Sequence, residues 1–395
     1  MAARPSAGDA EARGVALLSV MLMLALLATL LIYTADIEDM NIRRLSNIRQ
    51  AEQGFQVTMG GEQWGIKILE KDLVLDIQAG NEAFDHPSED WGNLGGAVDV
   101  EGTETVMLVS VEDAQGRINL NNLIQPYLTE SQRSQVEQQL AELRANPDGV
   151  DEIAVSDLED QLQQIYWYTV FRNLLVNLEL EPELADVVAD WVDSDSNTRG
   201  TTGAEDLYYQ GLEEPYRAAN RQFQSTAELS LLKDFTPEVI QSLAPYVTAI
   251  PVSGPRNLTR LNVNTAPAQV LAAMVAANPR LAEVLNPLLE SRAVQPYSVL
   301  TNFINALGSQ LGASLPAQLV RLLDTRSDYY FTYVCAETDK VKLSQRSLMF
   351  KNRAQENVKV LSRERYFGCP GLQAGTADAE SDEEDSNDAA ESGES

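Results

Sequence analysis

The stretch Val15–Tyr33, which reads VALLSVMLMLALLATLLIY, decides how the rest of this 395-residue sequence is organised. It carries no charge, and as a helix it spans roughly 28 Å, about the thickness of the hydrocarbon core of a bilayer. Arg4 and Arg13 precede it and acidic residues follow from Asp36, so the positive-inside tendency leaves the short N-terminus cytoplasmic and the large remainder outside. The stretch is either a cleaved secretory signal, a plain signal anchor, or an anchor trimmed at its inner edge. The first is disfavoured because the apolar run is long and no small-x-small cleavage site follows it.

The helical pattern continues beyond the membrane segment. Apolar residues between Ala35 and Asp72 recur mostly every three to five positions with charges between them, which is typical of an amphipathic helix. We therefore predict one long helix over residues 15–72, whose first part, 15–33, is transmembrane. Three glycines are weak points where this helix could bend: Gly54, Gly60 and Gly61.

The remaining sequence alternates between strand-like and helical regions. Leu73–Ile77 and Thr105–Val111 read as strands, and the chain from Pro126 to Asp324 reads as helical. Three further strand-like runs separated by polar turns predict an antiparallel meander: Tyr329–Ala336, Val341–Phe350 and Asn357–Phe367. A large helical block between strands is an insertion pattern, so we predict an α+β fold in which an all-α domain of about 200 residues interrupts a sheet-containing domain.

Capping signals mark helix starts within the helical block. Three segments fit a capping box, in which a Ser or Thr side chain and a Glu or Gln three residues later satisfy backbone N–H groups reciprocally. They are Thr129…Gln132, Ser156…Glu159 and Ser225…Glu228.

The junction before the apolar stretch resembles the leader of type IV pilins and type II secretion pseudopilins. Arg13-Gly14 abuts Val15 without a linker. The resemblance implies that prepilin peptidase cuts after Gly14, that the apolar helix is kept, and that Val15 becomes a methylated N-terminus. Most members carry Glu at the fifth mature position, where this sequence has Ser19. Because that Glu is thought to pair with the subunit ahead in the filament, its replacement resembles the K-type minor pseudopilin, which is thought to stand at the tip.

The K-type resemblance covers nearly the whole chain to Phe367 and implies a pilin-like fold. That fold has a long N-terminal helix, an antiparallel sheet and a large inserted all-α domain. The implied division is a cleaved leader (1–14), the helix (15–72), the first part of the pilin-like domain (73–125), the inserted domain (126–325) and the C-terminal strands (326–370). The acidic segment 371–395 does not match the family, and its composition predicts a disordered tail.

The same resemblance implies a role in assembly rather than catalysis. It places the protein in the bacterial inner membrane as a single-pass protein with its head in the periplasm. The implied partners are the I-type and J-type minor pseudopilins, prepilin peptidase, the inner-membrane secretion assembly platform and membrane lipid. Two other classes stay open: a membrane-anchored periplasmic enzyme of unknown reaction, and a DNA-uptake protein.

An acidic loop in the helical block suggests a cation site. Asp193, Asp195 and Asn197 alternate like the opening of a calcium loop, and Glu205 and Asp206 follow. The spacing does not match an EF-hand, since its required glycine and final glutamate positions hold other residues. A loop whose acids only cap helix ends is the alternative. The K-type resemblance favours calcium, with these five residues as candidate ligands and a structural role for the ion.

Cysteine and acidic residues suggest two further features of the head. Cys335 lies in a predicted strand and Cys369 follows the last one, and in an oxidising periplasm we expect them to pair. The alternative is two free thiols. The segment 371–395 holds nine acidic and no basic residues and lacks apolar periodicity, which predicts disorder.

Composition argues against several activities. A formal net charge of -30 disfavours a phosphate-binding, nucleic-acid interface. Leu261–Ala266 resembles part of a helix-hairpin-helix module, but the Gly-rich hairpin that would bind phosphate is missing, so capping within a packed domain is favoured. His86, the only histidine, is predicted to be an exposed loop residue. With no nucleophile elbow or phosphate loop in the sequence, we predict no catalytic residues.

Overall fold

A computed structural model describes most of the chain, and its first element is one very long helix. The structure describes residues 7–80, 83–94, 96–123, 130–145, 152–253, 257–312, 314–338 and 341–365. Helix α1, Ala7–Ala79, contains the apolar stretch and continues through all the glycines predicted as weak points. The strand predicted at Leu73–Ile77 is wrong, because α1 continues there. Leu69 and Leu73, one helical turn apart, are fully buried against the rest of the protein, which keeps this segment helical.

The second part of α1 lies against an antiparallel sheet of five strands. In spatial order its strands are β1 (Ala97–Asp99), β2 (Val106–Asp113), β7 (Tyr329–Glu337), β8 (Lys342–Asn352) and β9 (Asn357–Arg365). Every neighbouring pair is antiparallel. The predicted meander is confirmed in β7 to β9, and the predicted strand near residue 105 is β2.

A helical domain separates β2 from β7 in the chain. Its helices are α2 (Glu130–Ala145), α3 (Glu152–Asn177), α4 (Leu184–Val192), α5 (Asp206–Tyr209), α6 (Pro237–Leu243), α7 (Ala268–Val275), α8 (Leu281–Val294), α9 (Leu300–Leu311) and α10 (Ala317–Val320). Two parallel two-residue strand pairs join its segments: β3 (Ile118–Asn119) with β4 (Val247–Thr248), and β5 (Leu261–Asn262) with β6 (Leu323–Asp324). The predicted α+β fold with a large helical insertion is therefore confirmed.

Separate apolar cores hold these parts together. The largest lies inside the helical domain and also includes Ile118, Leu120 and Leu123, which precede the predicted start of that domain at 126. A smaller core joins α1 to the sheet, with Ile66 and Leu69 packed on Tyr330 among other residues. On the opposite face of the sheet, a third group brings Ile250 of the helical domain against sheet residues that include Phe331, Tyr333 and Leu348. The sheet is thus covered on both faces.

The three predicted capping boxes differ in outcome. The box at Ser225 and Glu228 is confirmed, with both reciprocal hydrogen bonds formed at the start of a short 3-10 helix. The box at Ser156 is wrong, because α3 already begins at Glu152 and Ser156 lies inside it. The box at Thr129 starts outside the described residues.

Candidate metal centre

The acidic loop is held between α4 and α5. The apolar side of α4 is buried in the helical core, and the helix ends where the backbone N–H of Asp193 donates to the carbonyl of Ala189 at 3.0 Å. Helix α5 follows Glu205 directly. The rings of Trp191 and Tyr209 meet edge to face, with centroids 5.4 Å apart, and this contact brings both ends of the loop together.

Three of the predicted ligands converge. One carboxylate oxygen each of Asp193, Asp195 and Glu205 lies within 4.8 Å of the other two. The backbone N–H of Asn197 donates to Oδ1 of Asp195 at 2.7 Å and so holds that carboxylate in the loop. Asp193 and Glu205 are only 3% and 2% exposed, so solvent barely reaches them.

These buried carboxylates lack enough donors of their own. Oδ1 of Asp193 and both side-chain oxygens of Glu205 are buried without a hydrogen-bond partner. Burial raises the pKa of Asp193 to about 6, and burial together with the charges of Asp190 and Asp193 raises the pKa of Glu205 to about 7. Oxygen atoms that face each other without donors are the ligands that a hard divalent cation prefers. The residues present therefore fit a calcium ion.

The other two predicted ligands have different surroundings. The carboxylate of Asp206 accepts a hydrogen bond from the backbone N–H of Ala218 at 3.0 Å, and Asp206 is not part of the converging group. Asn197 is exposed, and its backbone rather than its side chain contacts Asp195. The structure thus places both residues beside the cluster.

Sequence reasoning missed the residues that support the cluster. Asp190 is fully buried and accepts hydrogen bonds from the backbone N–H of Arg199, while the Arg199 guanidinium lies 3.5 Å from Oδ2 of Asp193. A Cβ atom at Gly203 would lie 2.1 Å from Oδ2 of Asp190, so only glycine fits there. The available signal was that Asp190 precedes Asp193 by one helical turn on α4.

A second acidic cluster, also missed, provides a useful contrast. Asp72 and Asp76 on α1 and Asp85 in the following loop surround the fully buried ammonium group of Lys351, at 2.7, 2.7 and 2.5 Å. Burial alone lowers the pKa of Lys351, but the charges of the three aspartates raise it, so the side chain stays protonated. In this cluster the ammonium group of Lys351 already lies among the carboxylates, in the place that a metal ion would take. In the loop cluster, Arg199 contacts Asp193 but leaves both oxygens of Glu205 without a hydrogen bond.

The remaining predicted positions have mixed outcomes. Ser19 is exposed on α1, and Gly14 and Val15 lie in the same helix, where cleavage stays a prediction. Cys335 is buried in β7 and disulfide-bonded, whereas its predicted partner, Cys369, lies outside the described residues, as does the acidic tail.

Two expectations about polar residues can be compared with the structure. His86 is 5% exposed, so the prediction of an exposed histidine is wrong, because its loop folds back and buries Trp91 as well. In the helix-hairpin-helix-like segment, the side chains of Asn262 and Thr265 donate to Oδ2 of Asp113 at 2.9 and 2.5 Å. These groups serve internal contacts, in agreement with the packing interpretation.

Comparisons with known proteins identify the relatives of the chain. A model of the family "Type II secretion system (T2SS), protein K" matches residues 116–252. The type II secretion system protein K of Pseudomonas aeruginosa is 32% identical over 305 residues, which are 76% of this chain and 79% of that protein. The protein of the same name from Aeromonas hydrophila is 27% identical, with 90% of this chain and 97% of that protein covered.

A solved structure shares the fold. The matching chain comes from the crystal structure of the GspK-GspI-GspJ complex of the enterotoxigenic Escherichia coli type 2 secretion system. It aligns with a TM-score of 0.61 at 18% identity and covers 82% of this chain and all of that chain. These likenesses favour neither the enzyme nor the DNA-uptake alternative.

Proposed function

Because the chain belongs to the type II secretion system protein K family, whose members are minor pseudopilins, we propose that it stands at the tip of the pseudopilus. The observation that carries this proposal is the helical domain between β2 and β7. It covers the face of the sheet opposite α1 and adds a second core larger than that of the sheet domain. Such a domain would obstruct a further subunit stacked above it. A subunit that prevents another from being added above it fits the role of a cap, with the rest of the pseudopilus assembling beneath it.

The proposal includes the membrane and the processing steps. The apolar part of α1 is long enough to cross a bilayer and is not buried within the protein, which is consistent with a single-pass anchor. In our proposal prepilin peptidase cuts after Gly14 on the cytoplasmic face, Val15 is methylated, and the head lies in the periplasm. The inner-membrane assembly platform then extracts the subunit during export of proteins across the outer membrane.

The partners we propose are the I-type and J-type minor pseudopilins. The matching solved chain was crystallised with proteins named GspI and GspJ, which supports equivalent partners here. Beyond the membrane segment α1 also exposes large apolar side chains that no described part of the chain covers. Neighbouring pseudopilin helices would bury them, and they include Ile37, Met40, Ile48, Phe55 and Trp64.

Position 19 offers a test of the tip assignment. At the tip there is no subunit ahead, so a glutamate in place of Ser19 would have no ammonium partner within the apolar helix layer, which is costly. We expect Ser19→Glu to reduce pseudopilus assembly and Ser19→Ala to leave it unchanged. Immunogold labelling of pseudopili should place the wild-type protein at one end only. Labelling along the shaft, polymerisation of the wild-type chain by itself, or unimpaired assembly of Ser19→Glu would contradict the proposal.

We also propose that calcium binds the loop cluster and has a structural role. The cation would bind the carboxylates of Asp193, Asp195 and Glu205 and supply the positive charge that these buried groups lack. Since the ion would bind only the folded loop, stability depends on its concentration, by about 2.7 kcal/mol at a hundredfold excess over the dissociation constant.

Calorimetry of the full chain in detergent, with calcium or with a chelator, tests this role. We expect calcium to raise the melting temperature of the wild type and of Glu213→Gln/Glu214→Gln, a control in an exposed pair of the adjacent loop. In Asp193→Asn/Glu205→Gln the calcium response should vanish. With the chelator, this variant should melt above the wild type, because the repulsion between buried charges is gone. An equal response in all three proteins would refute the site.

A further inference from the structure

A cleft lined by arginines lies where the helical domain meets the sheet. It measures about 580 Å³ and is bordered on one side by Leu258–Arg260 and on another by Tyr329, Phe350 and Arg353 of the sheet domain. Arg321 and Arg326 complete its basic lining. Four arginines at one cleft are notable in a chain that has 29 basic and 59 acidic residues. The same lining holds two carboxylates, those of Asp324 and Asp328, so arginines outnumber acidic residues four to two along a cleft of an otherwise acidic molecule.

Two of the four arginines, Arg260 and Arg326, are only partly neutralised by their neighbours, whereas Arg321 is paired with Glu159. The guanidinium groups of Arg260 and Arg326 share one carboxylate, that of Asp324, at 3.4 and 3.8 Å. Their side chains are 59% and 42% exposed, so both have donors available to a ligand. Arg353 lies deeper, where it binds Asp328 at 3.0 Å and connects the cleft to the buried aspartate cluster.

We propose that the acidic tail, residues 371–395 of the same chain, binds in this arginine cleft. The tail carries nine carboxylates without a single basic residue, which complements the cleft in sign. Each guanidinium can bind a carboxylate through two parallel hydrogen bonds. Because Arg260 lies on the helical-domain side of the cleft and Tyr329 and Phe350 lie on the sheet side, a bound tail would lie across the junction between the two domains.

Chain geometry allows the tail to reach the cleft. Alternation along β7 puts Cys335 on the same sheet face as Tyr329, which lines the cleft, and the two are six residues or about 20 Å apart. If Cys369 pairs with Cys335, the tail starts on this face. The first acidic residue, Asp378, follows Cys369 by nine residues, which extend to about 30 Å. This length exceeds the roughly 20 Å along β7 between Cys335 and Tyr329.

Site-specific photo-crosslinking of the full chain in detergent tests the proposal. A benzophenone side chain placed at Ser386, within the acidic run, should give cross-links to peptides that contain residues 257–260, 321–329 or 350–353. We expect these cross-links to fall at least fivefold in 1 M salt, where the screening length is about 3 Å, and in the charge-reversal variant Arg260→Glu/Arg326→Glu. The matched variant Arg280→Glu/Lys359→Glu, which changes two exposed basic residues outside the cleft lining, should cross-link like the parent protein.

The same experiment separates other occupants of the cleft. Mixing ¹⁵N-labelled with unlabelled protein identifies cross-links between two copies, and hybrid cross-links at the cleft would overturn binding of the chain's own tail. Cross-links spread evenly over the surface, or unchanged by the cleft reversal, would overturn the proposal as well. Cross-links from position 386 to an added I-type or J-type pseudopilin, in place of cross-links to the cleft, would overturn it too.

Discussion

At the scale of single residues, Lys351 shows how a buried charge can become a structural centre. Its ammonium group is fully buried and contacts three aspartates that come from α1 and from the loop after it. Such a network stabilises only when every partner is present, because removal of one charge leaves the others buried without compensation.

We expect Lys351→Met to lower the free energy of unfolding by about 3–5 kcal/mol, since three buried carboxylates lose a shared counter-ion and Arg353 contacts only two of them, Asp76 and Asp85. Denaturant unfolding of the full chain in detergent measures this change. Lys359→Met, at an exposed position of β9, is the matched control and should change the free energy by no more than about 0.5 kcal/mol. Similar losses in the two variants would show that Lys351 has no special role.

The carboxyl group of Glu89 should make the stability of the protein depend on pH. Burial, and then the charge of Asp72, raises its pKa to about 7, although the N–H groups of His86 and Trp91 donate to it. A raised pKa means that the folded state binds the proton more tightly than the unfolded state. This contribution to stability is therefore present at pH 4 and is lost as the pH rises through 7.

We expect Glu89→Gln, which keeps an acceptor for both N–H groups, to melt at a higher temperature than the wild type at pH 8 and at a similar temperature at pH 5. Thermal melts across this range measure the difference. In Asp90→Asn, at the exposed neighbouring position, the melting temperature should vary with pH as it does in the wild type. If the melting temperature of Glu89→Gln also varies with pH as in the wild type, then Glu89 is not the group responsible for the pH dependence.

At the scale of elements, α1 can lie this close to the sheet only because residue 61 is a glycine. A Cβ atom at Gly61 would lie 2.5 Å from Cγ1 of Val334 and 3.0 Å from Cγ2 of Val109. A Cβ atom at the adjacent Gly60 would have no such neighbour within 4 Å. Two neighbouring glycines of one helix thus have opposite surroundings.

We expect Gly61→Ala to destabilise the protein by about 1–2 kcal/mol, because overpacking outweighs the gain in helix propensity. Gly60→Ala should stabilise it by about 0.5–1 kcal/mol, because only the propensity changes. Unfolding of both variants in detergent makes the comparison, and each serves as the control for the other. If both variants gain stability, then α1 does not lie as closely on the sheet as described.

At the scale of the whole molecule, polar contacts join the helical domain to the sheet domain. The side chain of Asn262 in β5 donates to Oδ2 of Asp113 in β2, and the hydroxyl of Ser327 donates to the same oxygen at 2.6 Å. Asn264, two residues later, instead bonds the backbone of Tyr297 inside the helical domain. Asn262 therefore makes a contact between the two domains, whereas Asn264 makes a contact within the helical domain.

We expect Asn262→Ala to cost about 1–3 kcal/mol, because it removes a donor from the buried Asp113 carboxylate. Hydrogen exchange should become faster in β2 and β7 as well as in the helical domain. Asn264→Ala should accelerate exchange in the helical domain alone. Unchanged protection of β2 and β7 in Asn262→Ala would mean that this contact does not couple the two domains.

Local patterns in the sequence determined the membrane segment, the long helix, the meander and the helical insertion. These follow from periodicity and composition, which each segment expresses by itself. Local patterns also pointed to the loop acids, since three of the five candidates converge. They misassigned Leu73–Ile77, because a short apolar run fits a strand as well as a buried helix and only packing on the sheet distinguishes the two.

Tertiary structure alone decided which charges meet. Lys351 is separated from its aspartate partners by 266 to 279 residues, a distance over which no local pattern carries information. The burial of His86 and the arginine cleft likewise arise from segments that are distant in the chain. Local periodicity records which face of an element avoids water, but the partner of a buried charge is fixed only when the elements pack.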